Sequence, residues 1–398
     1  YGIYPDKHHL KDGLRKQFER ILMNENVVYF GNVCIGQDRC ITIPQLLEWG
    51  FPAVLISCGA QGTKWLGIPG ENLAGVLHAK DLVFHYNRLP PFSTAPIEIG
   101  RRVVVVGAGN VMADVARYLL SQPGVEEIHI CVRRGPAEVK FTAKELESII
   151  CGLDFKTVES EFERVKPLMV SLGQDPEAEK NFYLKAIEKA GSVETKPVIK
   201  MHFLVSPVGM QGGADGRVKT IELEDNTLVS DGQNTKARGL GTRHHMEADT
   251  VIFAIGDKVE EQLGMPVQRN EYRHTESPAY PVEGQSYEIE DPRTGQAWRG
   301  VFVAGWSRLA SSGLVGNAKK DGVNAAEAIT RYLSEVSVGE GLSLTALEKK
   351  LAGIPDPVVR KSDLERLVTE EHRLAGNGPI ESAKFMTNEE MLKVMGLK

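Results

Sequence analysis

The chain has 398 residues, a net charge of −6 and five cysteines, with 42% of its residues hydrophobic and 25% charged. That length exceeds one ordinary hydrophobic core and leads us to expect two domains; the composition is that of a globular protein. The mild negative charge excludes a general nucleic-acid binder, which needs a basic field, and no apolar run reaches the ~18 residues of a membrane span.

From the N-terminus, residues 10–23 carry apolar positions at helical spacing. Residues 27–30 and 41–43 read as strands, 44–49 as a short helix, and 53–60 as a buried strand ending in a glycine turn. A helix follows over 78–87, then a linker at 89–92. Residues 142–190 are helical and charged, while 199–205 and 218–223 are strands on either side of a glycine-rich turn. The segment 251–256 echoes 53–60, 270–298 is polar and turn-rich, 301–306 is the last strong strand, and 317–333 forms a helix. Beyond residue 335 the pattern is polar and helical, as in an appendage.

The cysteines, Cys34, Cys40, Cys58, Cys131 and Cys151, show no C-x-x-C pair for a redox disulfide or a zinc site. Cys34 and Cys40 stand six apart, which fits neither pattern, and Cys58 and Cys131 read as buried strand residues. A reducing, cytoplasmic compartment is the expected setting, with no metal site and no dithiol exit for electrons.

The densest signal lies at 103–134. Four consecutive valines, Val103 to Val106, suit a parallel strand covered on both faces. Gly107 permits a tight turn, and Gly109 lets the backbone approach a diphosphate at the N-terminus of a helix over 113–120. A second strand, 128–132, ends in Arg133 and Arg134, where an NAD site would carry an acidic residue. Guanidinium groups suit a 2′-phosphate, so the unit reads as binding NADP. The plainer alternative is a solvated arginine pair. Met112 departs from the small residue usual at the third fingerprint position.

Further segments fall in a telling order. They are Tyr1-Gly2-Ile3-Tyr4-Pro5-Asp6, Gly67-Ile68-Pro69-Gly70-Glu71, Tyr86-Asn87-Arg88-Leu89-Pro90, Arg133-Arg134-Gly135-Pro136, Phe141-Thr142-Ala143-Lys144-Glu145-Leu146, and Ala304-Gly305-Trp306 through Gly313. With the fingerprint, they make residues 1–333 resemble the adrenodoxin-reductase-like ferredoxin–NADP+ reductases, pyridine-nucleotide flavoproteins related to the glutamate synthase small subunit. The resemblance implies an α/β protein with two Rossmann-like dinucleotide-binding domains, the NADP domain being inserted into a discontinuous FAD domain that is incomplete at its N-terminus. It would put the FAD-binding domain at 1–95 and 297–335, the NADP-binding domain at 96–296, and a C-terminal extension at 336–398. The implied activity is hydride transfer from NADPH to FAD and electron transfer to a ferredoxin-like iron–sulfur protein. Two alternatives stay open: an electron-delivering subunit similar to the glutamate synthase small subunit, and a non-catalytic NADP-binding or flavoprotein-like subunit.

Carried over by position, Asn110 and Val111 would contact the NADP diphosphate, and Arg133 and Arg134 the 2′-phosphate. Glu145 and Lys7 would stand near the nicotinamide; Trp306, Gly313, Leu314 and Val315 would meet flavin and nicotinamide. Glu145 could instead serve a helix N-terminus, and Trp306 a core. Lys7 stands where the family usually has His, with His8 and His9 following, and Ser311-Ser312 replaces the usual Pro-Thr. The family's FAD fingerprint falls upstream of the Tyr1 segment, and the chain opens on Tyr rather than Met, so a longer natural protein is expected. A basic face for an acidic partner would draw on Lys11, Arg15, Lys16, Arg20, Arg101 and Arg102.

Overall fold

The structure is a computed structural model describing residues 8–38, 40–190, 197–230, 232, 234–310, 315–336 and 341–398. Its strands are β1 (Val54–Ile56), β2 (Gly62–Thr63), β3 (Val76–His78), β4 (Arg102–Val106), β5 (Glu127–Val132), β6 (Val198–Phe203), β7 (Val205–Gly212), β8 (Val218–Ser230), β9 (Thr235–Glu247), β10 (Thr250–Phe253), β11 (Asp257–Lys258), β12 (Val267–Gln268), β13 (Glu271–Tyr272), β14 (Glu288–Glu290) and β15 (Ala297–Val303). Its helices are α1 (His8–Leu22), α2 (Ile43–Glu48), α3 (Ala79–Tyr86), α4 (Asn110–Leu120), α5 (Ala143–Glu147), α6 (Phe155–Ser171), α7 (Pro176–Ala190), α8 (Val315–Glu335), α9 (Leu344–Leu351), α10 (Lys361–Ala375) and α11 (Asn388–Met395). Among the described residues, no helix is long and apolar enough to cross a membrane. Two compact units divide the chain. One is built on Trp65–Ile255 with Glu371–Met391, the other on Arg15–Lys64, Gly256–Glu370 and Leu392–Lys398.

The first unit centres on a parallel five-stranded sheet in the order β3-β10-β4-β5-β6. The valine run follows from two covered faces. Val103 and Val105 pack with Leu82 of α3 and Met112, Val115 and Leu119 of α4. Val104 and Val106 instead join Met210, Val218, Ile221 and Leu223 from the antiparallel sheet β7-β8-β9. Each such valine, withdrawn wholly from water, contributes about 1.5 kcal/mol or more. Met112 is fully buried in the first cluster, where a flexible thioether suits an irregular gap.

The charged stretch after Thr142 breaks into α5, α6 and α7; Asp154 caps α6 by accepting from the N–H groups of Lys156 and Thr157 at 3.0 and 3.2 Å. β9 is the longest of the strands that periodicity does not show. Residues 238–245 are exposed on both faces, so nothing alternates, and pairing with β8 sets its register.

A histidine pair bridges β5 and β6. His129 Nδ1 and His202 Nε2 lie 2.9 Å apart, with His129 Nε2 3.3 Å from Glu127 and Lys200 2.7 Å from the same carboxylate. Burial holds both imidazoles below their usual range, His202 at about 4. As pH falls, the unfolded chain takes up the His202 proton before the folded one does, so stability is full above about pH 6.5 and is lost toward pH 4. The loss expected from His202 is about 2 kcal/mol between about pH 7 and pH 5. His202→Gln should flatten the pH dependence of the urea midpoint over that range; a slope equal to that of the unmodified chain would contradict this assignment.

The second unit holds the mixed sheet β1-β15-β14, with β1 parallel and β14 antiparallel to β15. Val301 and Val303 pack with Ile43, Ile56, Tyr272 and Ile289. Phe302, on the opposite face, packs with Tyr287 and with Ala325, Ala328 and Tyr332 of α8. Thr42 caps α2 through a reciprocal arrangement with Gln45.

Several expectations change here. Residues 27–30 form no strand; next to them, Gly31 and Val359 exchange backbone hydrogen bonds at 2.8 and 3.0 Å. Where 41–43 was expected as a strand, Ile41 makes only a bridge to Ile35, and α2 starts at Ile43. That bridge brings Cys34 and Cys40 together in a disulfide, with Cα atoms 4.9 Å apart. The C-x-x-C rule missed it because chain reversal, not spacing alone, sets the approach. Cys58 lies beyond β1 and is exposed, whereas Cys131 is buried as expected. The tail is not a loose appendage. Asn32 Nδ2 donates to Pro357 O in the second unit, and Arg88 to Ser382 O and Ser93 to Met386 O in the first.

Candidate functional site

In the first unit the chain runs from β4 outward to β5 and β6, then returns to β10 on the other flank of β4. The order therefore reverses between β4 and β10, where open α/β sheets bind ligands beyond the carboxyl ends of their strands. Val106 and Phe253 end these two strands side by side. Gly107 follows, its N–H donating to the Cys131 carbonyl at 3.0 Å. It has φ +129°, and a Cβ there would lie 2.3 Å from the Ala254 carbonyl oxygen. Only glycine fits.

Gly109 is different. It precedes α4 with φ −112° and no side-chain cap, and a Cβ built on it meets nothing within 4 Å. Open space therefore fronts the uncapped first turn of a helix, whose N–H groups and positive dipole end suit a diphosphate. Asn110 Oδ1 accepts from the Thr142 N–H at 3.0 Å, and the Lys140 N–H donates to Ala108 O at 2.8 Å, pinning 140–142 to the turn. Val111 is 40% exposed.

Arg133 is exposed and Arg134 half-buried, just past β5. Their carbonyls are engaged, Arg133 O by Asn226 Nδ2 at 3.0 Å and Arg134 O by the Leu204 N–H at 3.1 Å. Their guanidiniums meet no carboxylate among the described residues. Arg101 and Arg102, proposed for a partner face, contrast with them. They lie at the amino end of β4 and are paired, Arg101 with Glu126, and Arg102 with Glu247 and Asp249. The Arg102 guanidinium holds Asp249 below the usual carboxylate range. Glu145 sits half-buried in the first turn of α5, its N–H bound by Thr142 Oγ1 at 3.4 Å. Lys7 lies outside the described residues.

In the second unit, β1 and β15 end together at Ile56 and Val303, each followed by a glycine turn. Ser307 Oγ joins the two turns, accepting from the Gly59 N–H at 2.8 Å and donating to Gly59 O at 3.2 Å. Asp321, 7% exposed, accepts from the Gly305 N–H at 2.6 Å and from Arg308 Nε at 3.1 Å. Arg308, 3% exposed, stacks over Tyr287 at 4.6 Å. A buried charge pair satisfied in this way fixes the turn that carries Trp306. Trp306 is half-buried, and the hydrophobic clusters of this unit form without it. Gly313 and Leu314 lie outside the described residues, and Val315 opens α8. The carboxyl ends of two parallel strands, an open turn and a half-buried indole fit one side of a flavin dinucleotide.

No protein-family model matches the chain. It is 30% identical to NADPH-ferredoxin reductase FprA of Mycobacterium tuberculosis over 368 residues, which cover 85% of this chain and 75% of that protein. The chain belongs to that reductase family. The mitochondrial NADPH:adrenodoxin oxidoreductase of Salvelinus fontinalis is 29% identical over 432 residues, covering 99% of this chain and 82% of that one. The structure of M. tuberculosis FprA in complex with NADPH superposes with a TM-score of 0.78 at 25% identity, covering 99% of this chain and 88% of that one. Motif reading of this reductase does not mark Ser307, whose partner Gly59 is 248 residues away, nor Arg308 and Asp321, which pair across the 13 residues between the turn and α8. Glu71 closes the Gly67–Glu71 turn segment. Its carboxylate accepts from the Leu66 and Gly67 N–H groups at 2.8 and 3.0 Å.

Proposed function

We infer that this chain is an FAD-dependent oxidoreductase that moves electrons between NADPH and a ferredoxin-like iron–sulfur protein. One observation carries the coenzyme half: two guanidiniums without carboxylate partners among the described residues, beside a glycine turn and an uncapped helix start. Arg133 and Arg134 take the 2′-phosphate, and Gly107, Gly109, Asn110 and Val111 the diphosphate. NADP binding falls to the unit built on Trp65–Ile255, which holds the parallel sheet, and FAD binding to the unit built on Arg15–Lys64 and Gly256–Glu370, so the expected boundaries at 95 and 297 move to 64 and 255 and the tail after 335 is shared between the two units.

When bound, FAD would supply the redox chemistry, a hydride acceptor for NADPH and a source of single electrons. The part of this chain is to bind and orient. Trp306, Gly313, Leu314 and Val315 would hold FAD, with Asp321 steadying the Trp306 turn through the Gly305 N–H. Glu145 and, by the family motif, Lys7 serve the nicotinamide end. A cytoplasmic setting supplies NADPH and a ferredoxin-like protein, and would keep the Cys34–Cys40 disulfide under reductive pressure.

The test is the visible absorption spectrum of the purified chain, reconstituted with FAD, before and after anaerobic NADPH. Flavin bands that bleach, with the electrons then reducing a ferredoxin, are the expected result. A protein that takes up no FAD, or whose FAD stays oxidised under NADPH, would sink the reading.

A further inference from the structure

Resting on that reading, the direction of the coenzyme across the sheet can be worked out. The 2′-phosphate belongs at the end of β5, and the diphosphate at the β4–α4 turn. An extended dinucleotide must then carry its nicotinamide half the opposite way, over the carboxyl ends of β10 and β3, the next strands in the sheet. One large aromatic side chain stands there with much of its surface open. Trp65 is 39% exposed. Its ring meets Phe253, the last residue of β10, at 5.6 Å between centroids, and His78, the last residue of β3, at 5.9 Å, both edge to face.

Trp65 is also held in place. The two residues after it are clamped by Glu71, and His78 is fixed as the cap of α3, accepting from the Lys80 N–H at 3.2 Å. An indole in contact with two strand ends and still 39% exposed is an anchored aromatic surface with no polar group to desolvate except its N–H. We propose that Trp65 is a coenzyme-binding residue whose indole stacks with the nicotinamide ring of NADP(H). No sequence motif marks it, because its neighbours come from strands far apart in the chain.

The test compares two ligands that share the adenosine end. NADP+ carries the nicotinamide; 2′,5′-ADP does not. Calorimetric titration of the unmodified chain, Trp65→Ala and Trp65→Phe should show Trp65→Ala binding NADP+ about tenfold more weakly. Its affinity for 2′,5′-ADP should stay within about twofold, and Trp65→Phe should recover most of the NADP+ affinity. Equal weakening for both ligands would mean that the indole serves only the fold, and unchanged NADP+ binding would mean that the nicotinamide lies elsewhere; either overturns the proposal. An unmodified chain that binds neither ligand would overturn the NADP reading itself, a distinct outcome.

Discussion

Replacing Arg133 and Arg134 together with alanine should lower kcat/KM for NADPH by a hundredfold or more and leave that for NADH within about threefold. The 2′-phosphate is the chemical difference between the two coenzymes, so only contacts to it can move their ratio. Hydrogen bonds from a charged donor contribute about 1.5–3 kcal/mol each, and a guanidinium can make two to one phosphate. Losing two such residues would cost about 3–6 kcal/mol for NADPH and almost nothing for NADH. The fold should not suffer, because neither guanidinium pairs with a carboxylate among the described residues and surface changes of this kind usually stay within about 0.5 kcal/mol. Lysine at both positions should recover part of the preference, since charge remains while the bidentate fork is lost. A double variant that still prefers NADPH as strongly as the unmodified chain would remove these arginines from the coenzyme site.

The strand–helix–strand unit β4-α4-β5 was legible because its signal is local. The valine run, the glycines, α4 and the arginine pair fall within one strand–helix–strand stretch, where each residue's role depends on near neighbours in the chain. The second unit was legible only as motif fragments. What organises its turns, Ser307 on Gly59 and Asp321 on Gly305 and Arg308, spans contacts that periodicity cannot register. β9 stayed hidden for another reason: a strand exposed on both faces has no hydrophobic alternation, and only its hydrogen bonds to β8 define it. Cys34 and Cys40 were discounted on spacing, although Ile41 N–H to Cys34 O, at 2.9 Å, folds that loop onto itself. The tail read correctly as helical. Its anchoring did not show, because the bonds that hold it are made largely by backbone carbonyls, Pro357, Ser382 and Met386, which any residue type could supply.

Gly107→Ala and Gly109→Ala should separate folding from binding at the same turn. At Gly107 the new methyl meets the Ala254 carbonyl oxygen at 2.3 Å, and φ is +129°. Neither partner is a flexible side chain, so the β4–β10 junction must shift. Backbone strain and overpacking together should cost about 2–4 kcal/mol, and coenzyme binding should fall with the displaced turn. At Gly109 the backbone is already in a region open to any residue, and the methyl enters empty space. Stability should hold or rise slightly, since alanine leaves the unfolded chain less freedom than glycine does. On the proposed NADP reading the same empty space takes the diphosphate against the α4 N–H groups, so NADP+ and 2′,5′-ADP differ here: the diphosphate ligand should weaken by tenfold or more, a loss of about 1.4 kcal/mol or greater, and the ligand without a diphosphate should weaken much less. Thermal unfolding and titration of both variants read these effects independently. If Gly109→Ala binds NADP+ as the unmodified chain does, the diphosphate does not lie against this turn.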